Sequence, residues 1–254
     1  MSFSIGIDVG VSKISGARVN IDTGRIVDRR VMDTRPSRGA DVLLGDVVGL
    51  SRGLGADAMG IGIALPEQFG PGNAIESAEF WDWRESDMET AFEEIKPGWR
   101  FVADAHAGGV GEAKLGAGRE RESFLYVHAG QSVSAALMQR SRLAPDSAER
   151  TQALNAAALE ATASGIGIAR AAETVTAAHA IADPSKAAIV AAAAAALAAA
   201  IAAADAATVI IGGVVGLDDA FRALLATELG ARCELIPAGL GTDATLIGAA
   251  LAAF

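Results

Sequence analysis

Cysteine occurs once in this chain of 254 residues, at Cys233, so no intramolecular disulfide can form and no structural zinc site can be assembled from several thiolates. A reducing cytoplasm is the compartment that fits. Positive charge is scarce as well: 21 Lys and Arg stand against 31 Asp and Glu, a formal net charge of −10, and the basic residues form no cluster. A phosphate backbone would be repelled, so no nucleic-acid partner is expected. The opening Met1-Ser2-Phe3-Ser4-Ile5-Gly6-Ile7-Asp8 lacks a basic region and meets an acid at once, which is not the pattern of a signal peptide.

Charge is missing altogether from Ala187 to Ala204, a run about long enough to span a bilayer. Most of it is alanine, which gains little from hydrocarbon, and Lys186 and Asp205 flank it without an aromatic anchor. A buried helix is the expected form, with no membrane partner. Val190, Leu197 and Ile201 fall on one narrow stripe of that helix, and alanine elsewhere permits close packing.

What is present supports a sizeable core: 51% of the residues are hydrophobic, enough for two small lobes around a cleft or for one large domain. Alternating patterns predict strands over Ser4 to Asp8, Gly16 to Ile21 and Arg25 to Val31, the last two joined by the turn Asp22-Thr23-Gly24. A helix is predicted over Gly39 to Gly53, a buried strand over Ala58 to Leu65, an amphipathic stretch over Asp87 to Ile95 and a short strand over Arg100 to Ala103. The theme then repeats, with a strand at Glu122 to His128, a small-residue turn at Gly130 to Ser134 and a partner strand at Ala135 to Gln139. Alanine-rich helices are expected over Ser147 to Ala182 and Pro184 to Ala207. Beyond them come a strand at Thr208 to Ile211, a helix at Asp218 to Leu229, a strand at Cys233 to Ile236 and a last helix at Asp243 to Ala253. Strand, helix, strand implies an α/β layer.

Three segments carry candidate chemistry. Asp8-Val9-Gly10-Val11-Ser12-Lys13 is a hairpin turn with an acid at the end of a buried strand. Gly10 would let the backbone approach a phosphate, and Asp8 could hold Mg²⁺ through water; an ordinary glycine-containing turn with a solvated aspartate fits the same spacing. Asp104 sits where a strand ends and a small-residue helix begins. It can cap that helix, or it can act as the general base on a hydroxyl attacking a γ-phosphate. Val209-Ile210-Ile211-Gly212-Gly213 runs a buried strand into a diglycine, suited either to a flat adenine or ribose against the backbone or to a tight turn with no ligand.

Taken in order, these landmarks resemble the ROK (repressor, open reading frame, kinase) family over nearly the whole chain. Asp8 to Gly16 resembles the family's first phosphate hairpin, Ile61 to Pro66 the strand before its sugar loop, and Ala103 to Glu112 the segment holding its catalytic aspartate. Leu159-Glu160-Ala161-Thr162-Ala163-Ser164-Gly165 resembles the helix entry whose glutamate binds sugar, and Ile210 to Gly213 with Leu246 to Ala250 resembles the adenosine side. The resemblance implies an α/β, two-lobed ribonuclease H-like fold of the actin and sugar-kinase ATPases. The expected lobes are 1–118 and 119–241, with 242–254 as a closing helix. It also implies an ATP-dependent kinase with Asp104 as base, Asp8, Gly10, Lys13, Gly130, Gly212 and Gly213 on MgATP, Glu160 and His106 on a hexose or amino sugar, and a homodimer.

The departures from the family pattern fall on ligand contacts. Ala103 stands where the family has a sugar-binding asparagine, Pro66-Glu67 where it has Pro-Gly, Phe80 where an asparagine is expected, and His106 where asparagine is frequent. The second phosphate hairpin, dense in glycine in the family, reads Gly130-Gln131-Ser132-Val133-Ser134-Ala135-Ala136; if those positions need positive φ, each side chain costs about 1–2 kcal/mol. Between Met138 and Ala158 the family's zinc-binding histidine motif and cysteine cluster are missing, and His128 and His179 lie in the wrong segments to replace them, so no zinc is expected. Three functions are compatible with this pattern: a sugar kinase, a kinase for a smaller substrate recognised through Trp81, Trp83 and His106, or a non-catalytic sugar- or nucleotide-binding regulator. With a first strand beginning by Ile5, no DNA-binding domain is expected ahead of it.

Overall fold

The computed structural model describes residues 1–35, 37, 39–55, 57–67, 69 and 98–253. The amphipathic stretch Asp87 to Ile95, together with Phe80, Trp81 and Trp83, lies outside them. The chain divides into two compact units, Met1–Gly111 with Thr245–Phe254, and Glu112–Ala244.

The first unit is built on a five-stranded sheet of β1 (Phe3–Val9), β2 (Lys13–Asn20), β3 (Ile26–Asp33), β4 (Ile61–Leu65) and β5 (Trp99–Ala103), in the order β3-β2-β1-β4-β5. The first three strands form an antiparallel meander, and β4 and β5 add in parallel to β1. Period-two alternation sends Ile5, Ile7, Val9, Ile61, Ile63 and Leu65 to one face, where they meet Leu43, Leu44, Val47 and Leu50 of α1 (Ala40–Gly53). The opposite face carries small residues and is covered by α2 (Asp104–Leu115) and by the C-terminal helix Ala244–Leu251, with Ala64, Val102, Ala107 and Ala249 in contact.

Glycine decides how close that C-terminal helix can come. A methyl group at Gly6 would overlap the carbonyl of Leu246, one at Gly62 the carbonyl of Ala249, and one at Gly248 the carbonyl of Ala107. The residues Leu246 to Ala250, expected on the adenosine side, are therefore packing residues of the first unit, all buried in it.

The second unit repeats the plan with β6 (Ser123–Ala129), β7 (Val133–Gln139), β8 (Arg142–Leu143), β9 (Thr208–Gly212) and β10 (Glu234–Pro237), ordered β10-β9-β6-β7-β8. Again a hairpin comes first and parallel strands follow, since β9 pairs β6 and β10 pairs β9 in parallel.

The alanine-rich helices expected to fill Ser147 to Ala182 are four short ones with breaks between them: α3 (Ser147–Arg150), α4 (Ala157–Ala163), α5 (Gly165–Ala171) and α6 (Ala177–Ala182). Hydroxyl caps open the last two. Ser164 is extended (φ −71°, ψ 159°) and accepts from the Gly167 amide, and Thr176 does the same for His179, so each side chain starts a new helix where alanine propensity alone would have continued the old one.

The next helix, α7 (Ala187–Ala203), matches its reading, with Val190, Leu197 and Ile201 buried against α4 and α9 (Asp219–Leu229). Together with the helical turn Pro184–Lys186 before it, it is long and apolar enough to cross a membrane; here its buried stripe belongs to the core of the second unit. Between β9 and α9 lies the single turn α8 (Gly213–Gly216).

Candidate functional site

In the first unit the strand register places the two aspartates at one end of the sheet. Asp8 pairs with Ala64 and Ala64 with Val102, so Asp8 and Val102 share a row across three parallel strands. Gly10 lies two residues past Asp8, and Asp104 two residues past Val102. Two strand spacings, about 9–10 Å, separate Asp8 from Val102 in that row. This is the carboxyl end of the parallel strands, where open α/β sheets bind their ligands.

The hairpin is closed by the Gly10 amide donating to the Lys13 carbonyl at 2.9 Å. It is also braced from below, since the Thr34 hydroxyl donates to the Gly10 carbonyl at 2.7 Å and the Thr34 amide to the Ser12 carbonyl at 3.0 Å. Lys13 is exposed at the mouth of this turn and Asp8 is half-buried. Sequence spacing could not have revealed Thr34, which joins the turn from the far end of β3.

Asp104 opens α2 and is only 6% exposed. Its Oδ1 accepts from the Ala105 amide at 2.6 Å, so a carboxylate is seated at the positive end of a twelve-residue helix. This bond to the amide of the next residue fixes the side chain, as a base would need, whereas an N-cap would accept from the amide two or three residues on. His106 follows two positions later, about 200° further round a helix, so α2 does not stack the imidazole on the carboxylate. Burial, followed by the positive charge of Arg100, pushes the His106 imidazole below its ordinary value, which favours the neutral form.

In the second unit the structure brings three of the expected residues together. Gly213, at φ +80°, lies so close to β6 that a side chain there would overlap the Ala129 carbonyl and come within 2.8 Å of the Gly130 nitrogen. Gly212 pairs with His128, two residues before Gly130. The diglycine and the second hairpin are therefore one backbone cluster. The close turn alone requires glycine at 213, and it leaves the main chain bare beside Gly130.

The second hairpin closes as the first does, with the Gly130 amide donating to the Ser132 carbonyl at 2.9 Å. None of Gln131, Ser132 and Ser134 has positive φ. The strain expected from losing glycine here does not arise, because the turn is built from ordinary backbone conformations.

Glu160, expected from the resemblance as a sugar ligand, has Oε2 accepting from the Val133 amide at 2.6 Å. That contact lies at the foot of the second hairpin.

Glu112 closes the segment Ala103 to Glu112, and its role is not legible in the sequence. It is fully buried and accepts three backbone amides: Ala117 at 2.7 Å and Gly239 at 2.9 Å on Oε2, and Leu240 at 2.8 Å on Oε1. The carboxylate thereby ties the end of α2 to the loop after β10, and a single acid amid Ala, Gly and Val was its only signal.

Donors for zinc are not gathered. Among the described residues no three His, Cys, Asp or Glu side chains converge, and burial pushes the lone Cys233 thiol up, away from the thiolate a metal needs. The segment where the resemblance implies zinc is occupied by Ser147, Thr151 and Asn155 in a hydrogen-bonded chain, so these residues do not fit that metal. A magnesium ion asks for less, since it keeps several waters and takes one or two carboxylates plus phosphate oxygens, a demand that Asp8 alone can meet.

No family model matches the chain. A ROK family glucokinase from Streptomyces griseus, solved with glucose and AMPPNP, superposes with a TM-score of 0.81 at 20% identity, covering 98% of each chain. The chain has the actin-like sugar-kinase fold. A ROK hexokinase from Thermus thermophilus agrees, with a TM-score of 0.73 and 21% identity over 99% of this chain and 97% of that one. In sequence, the xylose repressor of Bacillus subtilis is 26% identical over 131 residues, a match spanning 49% of this chain and only 34% of the repressor. The chain is thus similar in fold to two ROK kinases and, over part of its sequence, to a repressor.

Proposed function

We propose that the chain is an ATP-dependent sugar kinase, transferring the γ-phosphoryl group to a hydroxyl of a hexose or amino sugar in a reducing cytoplasm. The observation that carries the reading is the register of the first sheet, which sets the Gly10 hairpin and the buried Asp104 at the same carboxyl edge. Asp104 takes the proton from the attacking hydroxyl as its oxygen bonds to the γ-phosphorus and the bond to the leaving ADP oxygen breaks, and the hydrogen bond from the Ala105 amide keeps the carboxyl group aimed. Gly10 and Lys13 contact phosphate oxygens through backbone amide and ammonium group, and Asp8 holds Mg²⁺ through water, which neutralises charge on the phosphates. In the second unit Gly130, Gly212 and Gly213 offer bare main chain for further nucleotide contacts, and His106 gives the sugar a neutral imidazole.

A second reading has its own support. Ala103 cannot supply the hydrogen bond of an asparagine, Glu160 is engaged with the Val133 amide, and the matched sequence relative is a repressor. On that reading the protein binds a sugar or nucleotide and regulates without catalysis.

Phosphoryl transfer from MgATP to a panel of hexoses and amino sugars separates the two. Transfer that falls by about 10²–10⁴-fold in Asp104→Asn supports the kinase. Transfer that survives the substitution rejects Asp104 as base, and no transfer to any sugar, with sugar or nucleotide still bound, supports the regulator.

A further inference from the structure

One edge of β7 faces β6; the other is covered by β8 only at Met138 and Gln139. The uncovered amides of an edge strand normally pair with another strand or with water. Here alternate residues, whose N–H groups point the same way, are taken one by one by side chains. The Val133 amide donates to Glu160 Oε2 at 2.6 Å, the Ala135 amide to Asn155 Oδ1 at 2.9 Å and the Leu137 amide to Ser147 Oγ at 2.9 Å.

The three acceptors come from α4, the turn before it and the start of α3, and the last two are linked through Thr151. Asn155 Nδ2 donates to Thr151 Oγ1 at 3.1 Å, and the Thr151 hydroxyl donates to the Ser147 carbonyl at 2.8 Å. The same segment grips the hairpin loop itself, through the Gly165 amide on the Gly130 carbonyl at 2.8 Å and the Ile166 amide on the Gln131 carbonyl at 3.3 Å. At its other side Arg150 Nε and Nη2 donate to the Ala204 carbonyl at 3.0 and 2.6 Å, and Nη2 also to the Asp205 carbonyl at 2.7 Å, anchoring α3 on the end of α7. This is the stretch in which the resemblance implied a zinc ion and in which its ligands are missing.

We propose that Ser147, Asn155 and Glu160 form a metal-free brace, a ladder of side-chain acceptors along β7 that positions the second hairpin for an anionic ligand. These are positioning residues acting through the backbone of Val133 to Leu137. Glu160 occupies the rung nearest the loop, and as a charged acceptor it makes the strongest bond of the three. That the positioned loop meets nucleotide phosphate rests on the kinase reading; the brace itself does not.

Site-resolved amide hydrogen exchange on the full chain, with and without a zinc chelator, tests the brace directly. Glu160→Ala is expected to speed exchange at Val133 about tenfold or more while leaving Leu137 protected, and Asn155→Ala to do the same at Ala135. Glu160→Gln and Asn155→Asp retain an acceptor oxygen and should restore most of the protection; if an alanine variant fails to fold, these two are compared with the parent chain instead. Chelator should change none of the rates. Unchanged exchange in all variants, or amides loosened by chelator together with one zinc per chain by metal analysis, would overturn the proposal. MgADP titration is the second arm: affinity should weaken about tenfold in Glu160→Ala and recover in Glu160→Gln. A parent chain that ignores MgADP removes the phosphate role of the hairpin, and the exchange pattern still decides the brace.

Discussion

Gly62 and Ala249 meet backbone to backbone, the α-carbon of one lying where no side chain could fit beneath the carbonyl of the other. The contact seats the C-terminal helix on β4, next to the strand that ends just before Asp104. Because the opposing atom is a main-chain oxygen, no rotamer change can relieve an added methyl. Gly62→Ala should therefore cost about 1–3 kcal/mol, a fall of several degrees in Tm. Gly45→Ala and Gly49→Ala on the exposed side of α1, where an added methyl meets nothing within 4 Å, should each gain about 0.5–1 kcal/mol. Calorimetric melting of the three variants makes the comparison, and equal shifts would refute the packing argument.

Glu112 satisfies three amides with two oxygens in full burial. Glutamine has nearly the same shape, but its NH₂ would face an amide donor. Glu112→Gln should lower the denaturant-unfolding free energy by about 2–4 kcal/mol, since charge-assisted bonds are lost and a buried donor is left facing another. A neutral result would mean that the carboxylate is not the tie between α2 and the loop after β10.

His106 gives a pH signature with a definite sign. Its imidazole is held below the ordinary value of about 6.5, by burial first and Arg100 second, so the unfolded chain takes up the proton before the folded one does. This contribution to stability is complete above about pH 6.5, declines as pH falls below it and levels off beneath the lowered folded value. In His106→Asn that decline should disappear from the pH dependence of unfolding. A variant with the unaltered profile would show that another group is responsible.

How much of this was legible in the sequence depended on the range of the interaction. The opening meander, α1, β5 and the hairpin β6–β7 followed from local alternation and turn residues such as Asp22-Thr23-Gly24, because those signals act between near neighbours. The interruptions between Ser147 and Ala182 were missed, since the caps at Ser164 and Thr176 are single hydroxyls that a high alanine content masks. Asp104 could be placed at a strand-to-helix junction, but its alignment with Gly10 needed the pairing of β1, β4 and β5 across some 90 residues. The same limit hid Thr34 beneath Gly10 and Asn155 against Ala135, both polar residues whose partners lie in other elements.

In the proposed kinase, nucleotide phosphates rest at the Gly10 hairpin beside Asp104, and one calorimetric titration with Mg²⁺ and a non-hydrolysable ATP analogue tests this most directly. The parent chain and Asp104→Asn should bind alike, while Gly10→Val, which crowds the hairpin, should lose at least about tenfold in affinity, or about 1.4 kcal/mol. No binding by the parent chain at millimolar nucleotide, or equal binding by Gly10→Val, would contradict it.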